Sequence, residues 1–416
     1  MKQDIAKRVL SSRVSYETLE GFVREKVQGF IQDILEEEVS LFLGREKSER
    51  FSGKVESVKG YRNGHGNPRK LSLMNGTITL QRPRVRDTNE RFESKVLPLF
   101  KRKSKEMGEL LPELYLHGLS KGDFELALRN LLGDGAPLSP SSIQRLKGKW
   151  QLEYEQWKKR DLSALEVVYI WADGIYVKAG LEKDKAALLI IIGGLSNGEK
   201  VVLACESGYR ESKESWSEVL RDLKSRGLKF PRLTIADGHL GMWTALRDIY
   251  PESKDQRCWN HKIMNVLDAL PKRIRPQAKE LLCKIPYAET SEECERLRDQ
   301  FTKRFERDYG NAVKKLHNDW ERMVTFYSFP KEHWVHLRTT NIVESPFNAI
   351  RLRTNVVRRY KKVESATAMI WKLLQVAEKN FRTLKGYWLL LDVYKGKQFM
   401  NGIIIKNNIQ PKRKAA

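Results

Sequence analysis

Three acidic residues, far apart along the chain, are the ones whose types and settings best suit catalytic chemistry. Asp173 and Asp237 each follow an apolar run of β-type residues and stand directly before a glycine, and Glu344 precedes a strongly basic stretch. The separations are 64 and 107 residues. Carboxylates at the tips of buried strands commonly hold a metal ion. For Asp237, a simpler alternative is that it caps the helix predicted directly after it.

The order of the predicted elements shows how the two aspartates could meet. Strand-like runs cover 165–178, 186–195 and 200–206, with the first interrupted at Asp173-Gly174; a helix over 216–226, a strand ending at Asp237, a further helix and a strand near Gln256 follow. Short connections favour antiparallel pairing of the first three strands, and the helical crossover makes the fourth parallel to a neighbour. This is the order of a ribonuclease-H-like sheet, in which the first and fourth strands are adjacent. We therefore predict an α/β fold with Asp173 and Asp237 on neighbouring strands.

Two carboxylates at this spacing require a cation between them. Neighbouring strands lie about 4.8 Å apart, and two buried carboxylates that close repel, so that one is driven neutral unless a positive charge intervenes. A pair of divalent ions about 3.5–4 Å apart suits in-line displacement at phosphorus, because one activates the attacking oxygen and the other stabilises the leaving oxygen. A third carboxylate usually completes the set of oxygen ligands.

Glu344 is the candidate for that third carboxylate. A structural alternative is that Asn341-x-x-Glu344 forms a capping box at the start of a helix. That alternative predicts no basic cluster, whereas one follows at once and is typical of a helix that contacts phosphates, although a solvated basic face also fits. The cluster contains Arg351, Arg353, Arg358, Arg359, Lys361 and Lys362. The long separation from Asp237 carries helical patterns and predicts an all-helical insertion before Glu344.

The composition indicates a globular protein with a polyanionic partner. Of 416 residues, 40% are hydrophobic, and 77 lysines and arginines stand against 53 acidic residues, for a formal charge of +24 and a pI near 9.7. Residues 345–416 alone hold 16 basic residues against three acids. This excess favours nucleic acid as the partner. A membrane span is not expected, because the longest apolar run, 186–195, is half of the about 20 residues required, and the N-terminus has no signal-peptide core.

The cysteines do not suggest disulfides or a zinc site. The chain has four cysteines without a disulfide-like framework, which favours a reducing compartment. Cys258 and His261 have the Cys-x-x-His spacing, but zinc needs two more ligands. Cys283, Cys294 and His317 offer no convincing second pair, so we do not expect zinc.

The N-terminal third carries three patterns. Apolar residues recur with helical spacing over 16–43, which predicts a helix packed on a neighbouring element or on a second subunit. The composition changes over 51–86, where residues 61–70 are basic and rich in turn formers, and a hairpin predicted around Asn75-Gly76 could touch a phosphate backbone or brace the domain. A helix over 119–132, a break, and a second helix beginning at Ser139-Pro140 fit a helix-turn-helix motif that enters a major groove. Its predicted DNA-contacting residues are Ser142, Gln144, Arg145 and Lys147.

These patterns predict seven regions along the chain. An N-terminal helical region for dimerisation or DNA contact covers 1–50, a small basic β-hairpin region 51–106, and a helix-turn-helix DNA-binding domain 107–160. The ribonuclease-H-like core is expected in two parts, 161–271 with both aspartates and 339–385 with Glu344, separated by a helical insertion over 272–338. A basic helical tail occupies 386–416.

Four linked stretches resemble bacterial insertion-sequence transposases of the mutator type. They are Asp173-Gly-Ile-Tyr-Val-Lys178; Gly208-Tyr-Arg210-Glu211-Ser-Lys-Glu214-Ser-Trp216 with Leu223 and Arg226-Gly227-Leu228; Asp237-Gly-His-Leu-Gly241 with Gln256-Arg-Cys258-Trp-Asn-His261 and Asn265; and Thr339-Thr-Asn-Ile-Val-Glu344 with Asn348, Arg351, Arg353 and Thr354. Each stretch is a weak pattern alone. In this order they are specific, and they cover about residues 60–375.

The resemblance implies an Asp-Asp-Glu transposase. Asp173, Asp237 and Glu344 would be catalytic and bind two Mg²⁺ or Mn²⁺ ions; water would hydrolyse one strand at the element's end, and the freed 3′-hydroxyl would attack target DNA without a covalent enzyme intermediate. The residues expected near the site, where they would shape it or position DNA, are Cys258, His261 and Asn341. Further expected DNA contacts are Asn348, Arg351, Arg353, Arg358, Arg359, Lys361 and Lys362.

The resemblance also implies partners and a location. The partners are double-stranded DNA, namely terminal inverted repeats and a target, bound by a homodimer or a larger assembly because two element ends must be joined. Such a protein is expected in the bacterial cytoplasm, associated with the nucleoid. Two other functions are a catalytically silent DNA-binding repressor derived from a transposase, which the presence of all three acids disfavours, and a ribonuclease-H-like nuclease or resolvase without strand transfer.

Overall fold

The computed structural model describes residues 18–49, 59–99, 101–116, 140–180, 186–208, 210–357 and 359–405. The chain divides into two compact units, Met1–Leu146 and Lys147–Ala416. The division falls inside the range 107–160 that the sequence suggested as one domain.

The first unit contains a long helix, four short strands and a second helix. Their bounds are α1 Leu19–Leu43, β1 Tyr61–His65, β2 Arg69–Leu73, β3 Gly76–Leu80, β4 Pro83–Arg86 and α2 Lys105–Leu116. β2 pairs with β3 and β1 with β4, both antiparallel. Leu35 of α1 is buried in one cluster with Ile78, Leu80 and Leu97. The predicted helix is confirmed, and the element on which it packs is the β2–β3 hairpin.

That hairpin is the one predicted around Asn75-Gly76, with its turn one residue earlier. Leu73 pairs with Gly76, so Met74 and Asn75 form the turn. Gly76 has a φ of 121°, a value that favours glycine because a side chain there is strained. Within the stretch rich in turn formers, Tyr61–His65 forms the strand β1, which pairs with β4.

A third helix, α3 Pro140–Lys158, begins at the predicted proline. Proline suits this position because its missing N–H is not needed in the first turn. The other helix predicted for the helix-turn-helix motif, 119–132, lies outside the described residues, so the motif stays a prediction.

The second unit is built around a five-stranded mixed sheet. Its strands are β5 Val167–Val177, β6 Ala186–Leu195, β7 Lys200–Gly208, β8 Leu233–Ala236 and β9 Lys254–Arg257, in the spatial order β7-β6-β5-β8-β9. β6 is antiparallel to both β5 and β7, β8 runs parallel to β5, and β9 runs parallel to β8. The predicted adjacency of the first and fourth strands is confirmed, and the fold class is mixed α/β.

The predicted interruption of the first strand at Asp173-Gly174 is wrong. Asp173 pairs with Ile190 and Gly174 with Leu189, and β5 continues to Val177. The long neighbour β6 supplies hydrogen-bonding partners along its whole length, so the Asp-Gly pair, which elsewhere favours a turn, stays extended here.

Two helices cover one face of the sheet. They are α4 Lys213–Ser225 and α5 Leu240–Ile249. Their apolar side chains, including Trp216 and Trp243, form one buried cluster with those of the sheet. α4 begins at residue 213 and not at the predicted 216, because the Ser212 side chain caps it by accepting the Ser215 N–H.

Helices also occupy the whole segment between β9 and residue 338, and no strand interrupts this fully described stretch. They are α6 Trp259–Asp268, α7 Arg275–Lys284, α8 Ser291–His317, α9 Trp320–Val324 and α10 Trp334–Leu337, with 3-10 turns at Ile285–Tyr287, Thr325–Ser328 and Lys331–His333. Two polar contacts attach them to β5: the Tyr169 hydroxyl lies 2.7 Å from His333 Nδ1, and Trp171 Nε1 donates to the His336 carbonyl at 2.9 Å.

The remaining elements are α11 Asn341–Glu344, α12 Phe347–Val357, α13 Val363–Glu378, a 3-10 turn Tyr387–Leu389, α14 Leu390–Tyr394, β10 Phe399–Met400 and β11 Ile403–Ile404. The tail beyond 386 is therefore not purely helical as predicted. β10 and β11 form a hairpin whose turn residues, Asn401 and Gly402, have φ of 48° and 82°. Asn-Gly is the sequence typical of such a turn, so the signal was available. Residues 406–416 lie outside the described chain.

Candidate active site

The sheet places Asp173 and Asp237 side by side. Ala172 pairs with Ala236 in the parallel ladder of β5 and β8, so the next residue of each strand lies at the same level. Backbones of neighbouring strands are about 4.8 Å apart. Each carboxylate also accepts the N–H of the glycine that follows it, at 2.8 Å for Asp173 and 2.5 Å for Asp237. The element order alone was enough to predict this pairing.

Asp237 does not cap the following helix. The N-cap position of α5 belongs to His239, two residues further on, and no side chain makes a capping hydrogen bond there. Gly238 between them leaves room for the Arg257 side chain, since a Cβ at that position would fall 2.2 Å from its guanidinium carbon. The carboxylate of Asp237 is therefore not engaged in capping α5.

Glu344 reaches the same end of the sheet through the segment that precedes α11. The Cys258 N–H donates to the Ala236 carbonyl at 2.9 Å, just beyond the paired ends of β8 and β9. The Thr340 N–H in turn donates to Cys258 Sγ at 3.4 Å. Thr340 also donates its hydroxyl proton to the Glu344 carboxylate. These bonds connect the short helix of Glu344 to the strand that ends at Asp237.

His261, in the first turn of α6, faces both of these acids. Its Nδ1 lies 3.9 Å from Asp237 Oδ1 and 4.0 Å from Glu344 Oε1. Nδ1 is buried and has no hydrogen-bond partner within the described chain. Two carboxylates 107 residues apart thus approach one ring nitrogen.

The capping-box alternative for Glu344 is not what the structure contains. The N-cap of α11 is Thr340, without a side-chain capping bond, and Asn341 is already the first helical residue. The Asn341 side chain is exposed, and its Oδ1 accepts a hydrogen bond from Asn260 Nδ2 at 3.0 Å. Asn341 therefore lies beside α6, close to the residues predicted near the site.

The electrostatic environment of Asp173 disfavours its charged form. Burial raises the pKa of Asp173 to about 7, and the charges of Glu211 and Glu344 act in the same direction, against the hydrogen bond from Gly174. A carboxyl group shifted in this way lies where negative charge is concentrated and poorly solvated. A cation at this position would reverse the shift.

His261 is shifted toward its charged form. The neighbouring Cys258 sulfur, as a hydrogen-bond acceptor, raises the pKa of His261 to about 9, and the charges of Asp237 and Glu344 add to this. Burial opposes the shift but does not outweigh it. At neutral pH, the imidazolium offsets part of the negative charge of the two acids.

The acids suit a hard divalent cation. Carboxylate oxygens are the ligands that Mg²⁺ and Mn²⁺ prefer, and a cation would stabilise the carboxylate of Asp173, whose pKa is raised by burial and by the nearby acids Glu211 and Glu344. The residues that could hold such ions are Asp173, Asp237 and Glu344.

A fourth carboxylate, to which the sequence analysis assigned no role, lies beside Asp173. The Glu211 side chain is 8% exposed, and its Oε2 lies 3.7 Å from His239 Nε2. A Cβ on Gly174 would fall 2.5 Å from Glu211 Oε1, so the glycine leaves room for this carboxylate. Glu211 belongs to one of the stretches that carry the family resemblance, but only the packing of the loop before α4 shows which residue it faces.

One predicted phosphate contact has a buried side chain. Arg353 is 2% exposed, because it lies on the same side of α12 as the buried residues Phe347 and Ile350. Arg351 and Asn348, on the other side of that helix, are exposed.

The remaining basic residues of this cluster do not continue the helix. α12 ends at Val357 and α13 begins at Val363, so Arg359, Lys361 and Lys362 lie in the connection, where all three are exposed. The Arg359 guanidinium donates to the Gly180 carbonyl at 3.0 Å. Arg358 lies outside the described residues.

The residues predicted to read a major groove lie on α3. Gln144 and Arg145 are exposed and Lys147 is half-buried, while the side chain of Ser142 lies outside the described part of the chain. Further along the same helix, the Tyr154 hydroxyl donates to a main-chain carbonyl of β7 at 2.9 Å. The C-terminal half of α3 is therefore anchored to the sheet.

All four cysteines are free thiols, in agreement with the absence of a disulfide pattern. Among the described residues, no helix combines the length and the apolar character needed to cross a bilayer.

Comparison with known proteins gives a consistent family. The model of a family described as "Transposase, Mutator family" matches residues 2–383. The transposase for insertion sequence element IS6120 of Mycolicibacterium smegmatis is 43% identical over 300 residues, which is 72% of this chain and 93% of that protein. The transposase for element IST2 of Acidithiobacillus ferrooxidans is 39% identical over 279 residues, 67% of this chain and 94% of that protein. A solved structure, the Drosophila P element transposase strand transfer complex, matches with a TM-score of 0.30 at 13% identity, over 68% of this chain and 83% of that chain.

Proposed function

The chain belongs to the Mutator family of transposases, and from this premise we propose that it cuts DNA at the terminal inverted repeats of its insertion sequence and joins the ends to target DNA. One observation carries the proposal: Asp237 and Glu344 approach His261 Nδ1 at 3.9 and 4.0 Å, and Asp173 stands level with Asp237 on the adjacent strand. Residues from the two ends of the unit thus form one acidic site.

The order of the strands supports a ribonuclease-H-like core. Three antiparallel strands, followed by two that run parallel to the first, in the order β7-β6-β5-β8-β9, agree with that fold. In this proposal the core is split by the helical segment that runs from α6 to α10, and Glu344 belongs to its second part.

The mechanism assigns a role to each acid. Mg²⁺ or Mn²⁺ ions, two per site, would be held by Asp173, Asp237 and Glu344, and would activate the attacking oxygen and stabilise the leaving one. Asp173 and Asp237 are oriented by the N–H groups of the glycines that follow them. His261 orients the other side of the site, because its positive charge draws Asp237 and Glu344 toward one point.

The DNA surface is proposed on polar and basic residues that the sequence singled out. The contacts assigned are Ser142, Gln144, Arg145 and Lys147 for the terminal repeats, and Asn348, Arg351, Arg358, Arg359, Lys361 and Lys362 near the cleaved strand. Phosphate contacts of this number make affinity fall by orders of magnitude between about 50 and 200 mM salt. Since two element ends must react together, we also propose a homodimer or larger assembly acting on the bacterial nucleoid.

The test is cleavage of DNA that carries the terminal repeat, in Mn²⁺, by the wild type and by Asp237→Ala. The matched control is Asp248→Ala, because Asp248 lies at the end of α5, where its side chain is 50% exposed and pairs with Lys213 at 3.0 Å. We expect cleavage by the wild type and the control, none by Asp237→Ala, and DNA binding by all three.

Each outcome separates the alternatives. Cleavage that survives Asp237→Ala overturns the site. Wild-type protein that binds the repeat without cutting it indicates a silent repressor, and cutting without joining to a target plasmid indicates a nuclease that lacks strand transfer.

A further inference from the structure

Cys258 introduces a sulfur atom at the edge of a site otherwise made of oxygen ligands. Cys258 Sγ, a ring nitrogen of His261 and a carboxylate oxygen of Glu344 all lie within 4.8 Å of one another. Ligand atoms around a tetrahedral zinc ion are separated by about 3.5 Å, given bond lengths of about 2.0–2.3 Å. Small side-chain rotations would bring these three atoms to that spacing.

Mg²⁺ and Mn²⁺ do not account for this arrangement. Hard cations bind carboxylates, carbonyls and water, whereas thiolate and imidazole together select borderline or soft ions such as Zn²⁺, Co²⁺ and Cd²⁺. We propose that Cys258, His261 and Glu344 form a binding site for an ion of this softer class. Glu344 is the residue that this site shares with the acidic set.

Cys258 is placed to ligate an ion. Its sulfur is buried, accepts the Thr340 N–H at 3.4 Å, and lies 3.2 Å from the Thr340 hydroxyl oxygen. Cysteine ligates metals as the thiolate, and binding of an ion releases the thiol proton. Cys258 is the N-cap residue of α6, so that Cys258 and His261, three residues apart, lie on the same side of the first turn.

The nitrogen side of the site becomes a ligand when His261 loses a proton, and the incoming ion then replaces the imidazolium as the positive charge between the two acids. His261 Nδ1 is buried and has no hydrogen-bond partner among the described residues, although two carboxylates lie about it. Asp237 Oδ1, at 3.9 Å from this atom, is near enough to supply a fourth ligand. An incoming ion has a path from solvent, because the side chains of His261 and Glu344 are 33% and 32% exposed.

The sequence had argued against zinc because no second Cys-His pair was found. The structure changes that argument, since the additional ligands are the carboxylates of Glu344 and Asp237 and not another pair of cysteines or histidines. Spacing along the chain does not reveal such a set, because its members come from three separate segments.

A consequence follows that rests on the proposed function. When an ion is held by Cys258 and His261, Glu344 and Asp237 bind that ion and are no longer available as ligands for Mg²⁺. Zn²⁺ is therefore expected to inhibit cleavage in Mg²⁺, and Cys258→Ser is expected to weaken that inhibition by more than tenfold in Zn²⁺ concentration.

The test of the site itself uses Co²⁺ and needs no DNA. Full-length protein titrated with Co²⁺ is expected to develop a sulfur-to-cobalt charge-transfer absorption that saturates at one ion per chain. Cys258→Ser should abolish this absorption, while Cys283→Ser, a change at a half-buried cysteine on α7, should leave it intact. An absent band in the wild type, or an unchanged band in Cys258→Ser, overturns the proposal.

A second variant covers the case in which Cys258→Ser does not fold, as judged by circular dichroism. His261→Gln keeps the sulfur but removes the nitrogen ligand, and should weaken Co²⁺ binding by more than about 100-fold, since even loss of an outer partner costs about 10- to 100-fold. Wild-type affinity in His261→Gln would rule the site out. Because the Co²⁺ readout does not depend on DNA cleavage, failure of the proposed function leaves this result interpretable.

Discussion

Charged side chains are positioned in different ways at the end of the sheet that carries Asp173 and Asp237, called here the acidic edge, and in the basic segment that follows Glu344. Asp173 and Asp237 are placed by the pairing of two strands, whose register fixes which residues are level with one another. Arg351 and Arg353 belong to one helix and differ in burial only through its rotation, which leaves one exposed and buries the other. Strand pairing therefore predicts the position of a side chain more reliably than a cluster of charged residues in the sequence does.

The largest effect is expected from removing the charge of one of the three acids. Glu344→Gln keeps the size and hydrogen-bonding capacity of the side chain but removes its charge. We expect the cleavage rate to fall by at least about 10³-fold, since a metal ligand contributes several kcal/mol to the transition state. Glu364→Gln, at an exposed position in the first turn of α13, should leave the rate unchanged. The measurement is the initial rate of cleavage, in Mn²⁺, of DNA that carries the terminal repeat. A rate near that of wild type in Glu344→Gln would contradict the assignment of Glu344 to the site.

A paired substitution tests the basic segment. Arg353→Met should lower the free energy of unfolding by about 2 kcal/mol, because Arg353 is 2% exposed and its loss leaves buried neighbouring groups without the interaction that it makes with them. Arg351→Met should change that free energy by less than about 0.5 kcal/mol. It should instead weaken DNA binding and reduce the slope of log affinity against log salt by about 1.

Denaturant unfolding and DNA-binding titrations at several salt concentrations measure both effects. A stable Arg353→Met protein that binds DNA poorly would restore the predicted phosphate contact and remove the contrast between the two arginines.

The helices that hold Glu344 near the sheet should respond to acid through His336. Burial, with the nearby positive charges of Lys200, His333 and Lys385, lowers the pKa of His336 from 6.5 to about 4. The unfolded chain then binds a proton that the folded chain does not between these two pH values, so the contribution is complete above pH 6.5 and is lost as the pH falls toward 4. It amounts to about 2–3 kcal/mol.

His336→Gln should flatten the fall in unfolding free energy over that acidic window. The glutamine side chain can still accept the Lys385 N–H, which His336 Nε2 accepts at 2.9 Å. His239→Gln, at a side chain that is 53% exposed, serves as the control. Identical pH dependence in His336→Gln and wild type would show that this histidine is not held in its neutral form by the fold.

The smallest expected effect tests whether Glu211 belongs to the site beside Asp173. Gly174→Ala would force the Glu211 carboxylate away from Asp173, because the new Cβ falls 2.5 Å from its oxygen. The stability cost should be small, since that oxygen ends a flexible side chain. We expect the Mn²⁺ concentration for half-maximal cleavage to change by about tenfold. Gly310→Ala, where a Cβ meets nothing within 4 Å, should match wild type, and equal behaviour of the two variants would exclude Glu211 from the site.

Residue patterns were sufficient to predict the elements whose interactions are short in range. The strand 186–195 was found at its predicted bounds, the strand predicted to end at Asp237 ends one residue earlier, at Ala236, and the order of elements was enough to place Asp173 beside Asp237. Alternation, apolar runs and crossover lengths carry this information, because strand pairing follows from local hydrogen bonding and from short or helical connections. The Asn401-Gly402 turn was missed although the same kind of signal is present there.

The contacts between side chains that are distant in sequence could be found only in the folded chain. The approach of Glu344 to His261, the room that Gly174 leaves for Glu211, and the inward rotation of Arg353 all depend on how helices pack. The rotation of a helix, and the path of the chain over the 107 residues from Asp237 to Glu344, depend on the sum of many small packing contacts. The spacing of residues in the sequence does not predict these contacts. For this reason, residue types revealed the chemistry of the site, while its full membership became visible only in the folded chain.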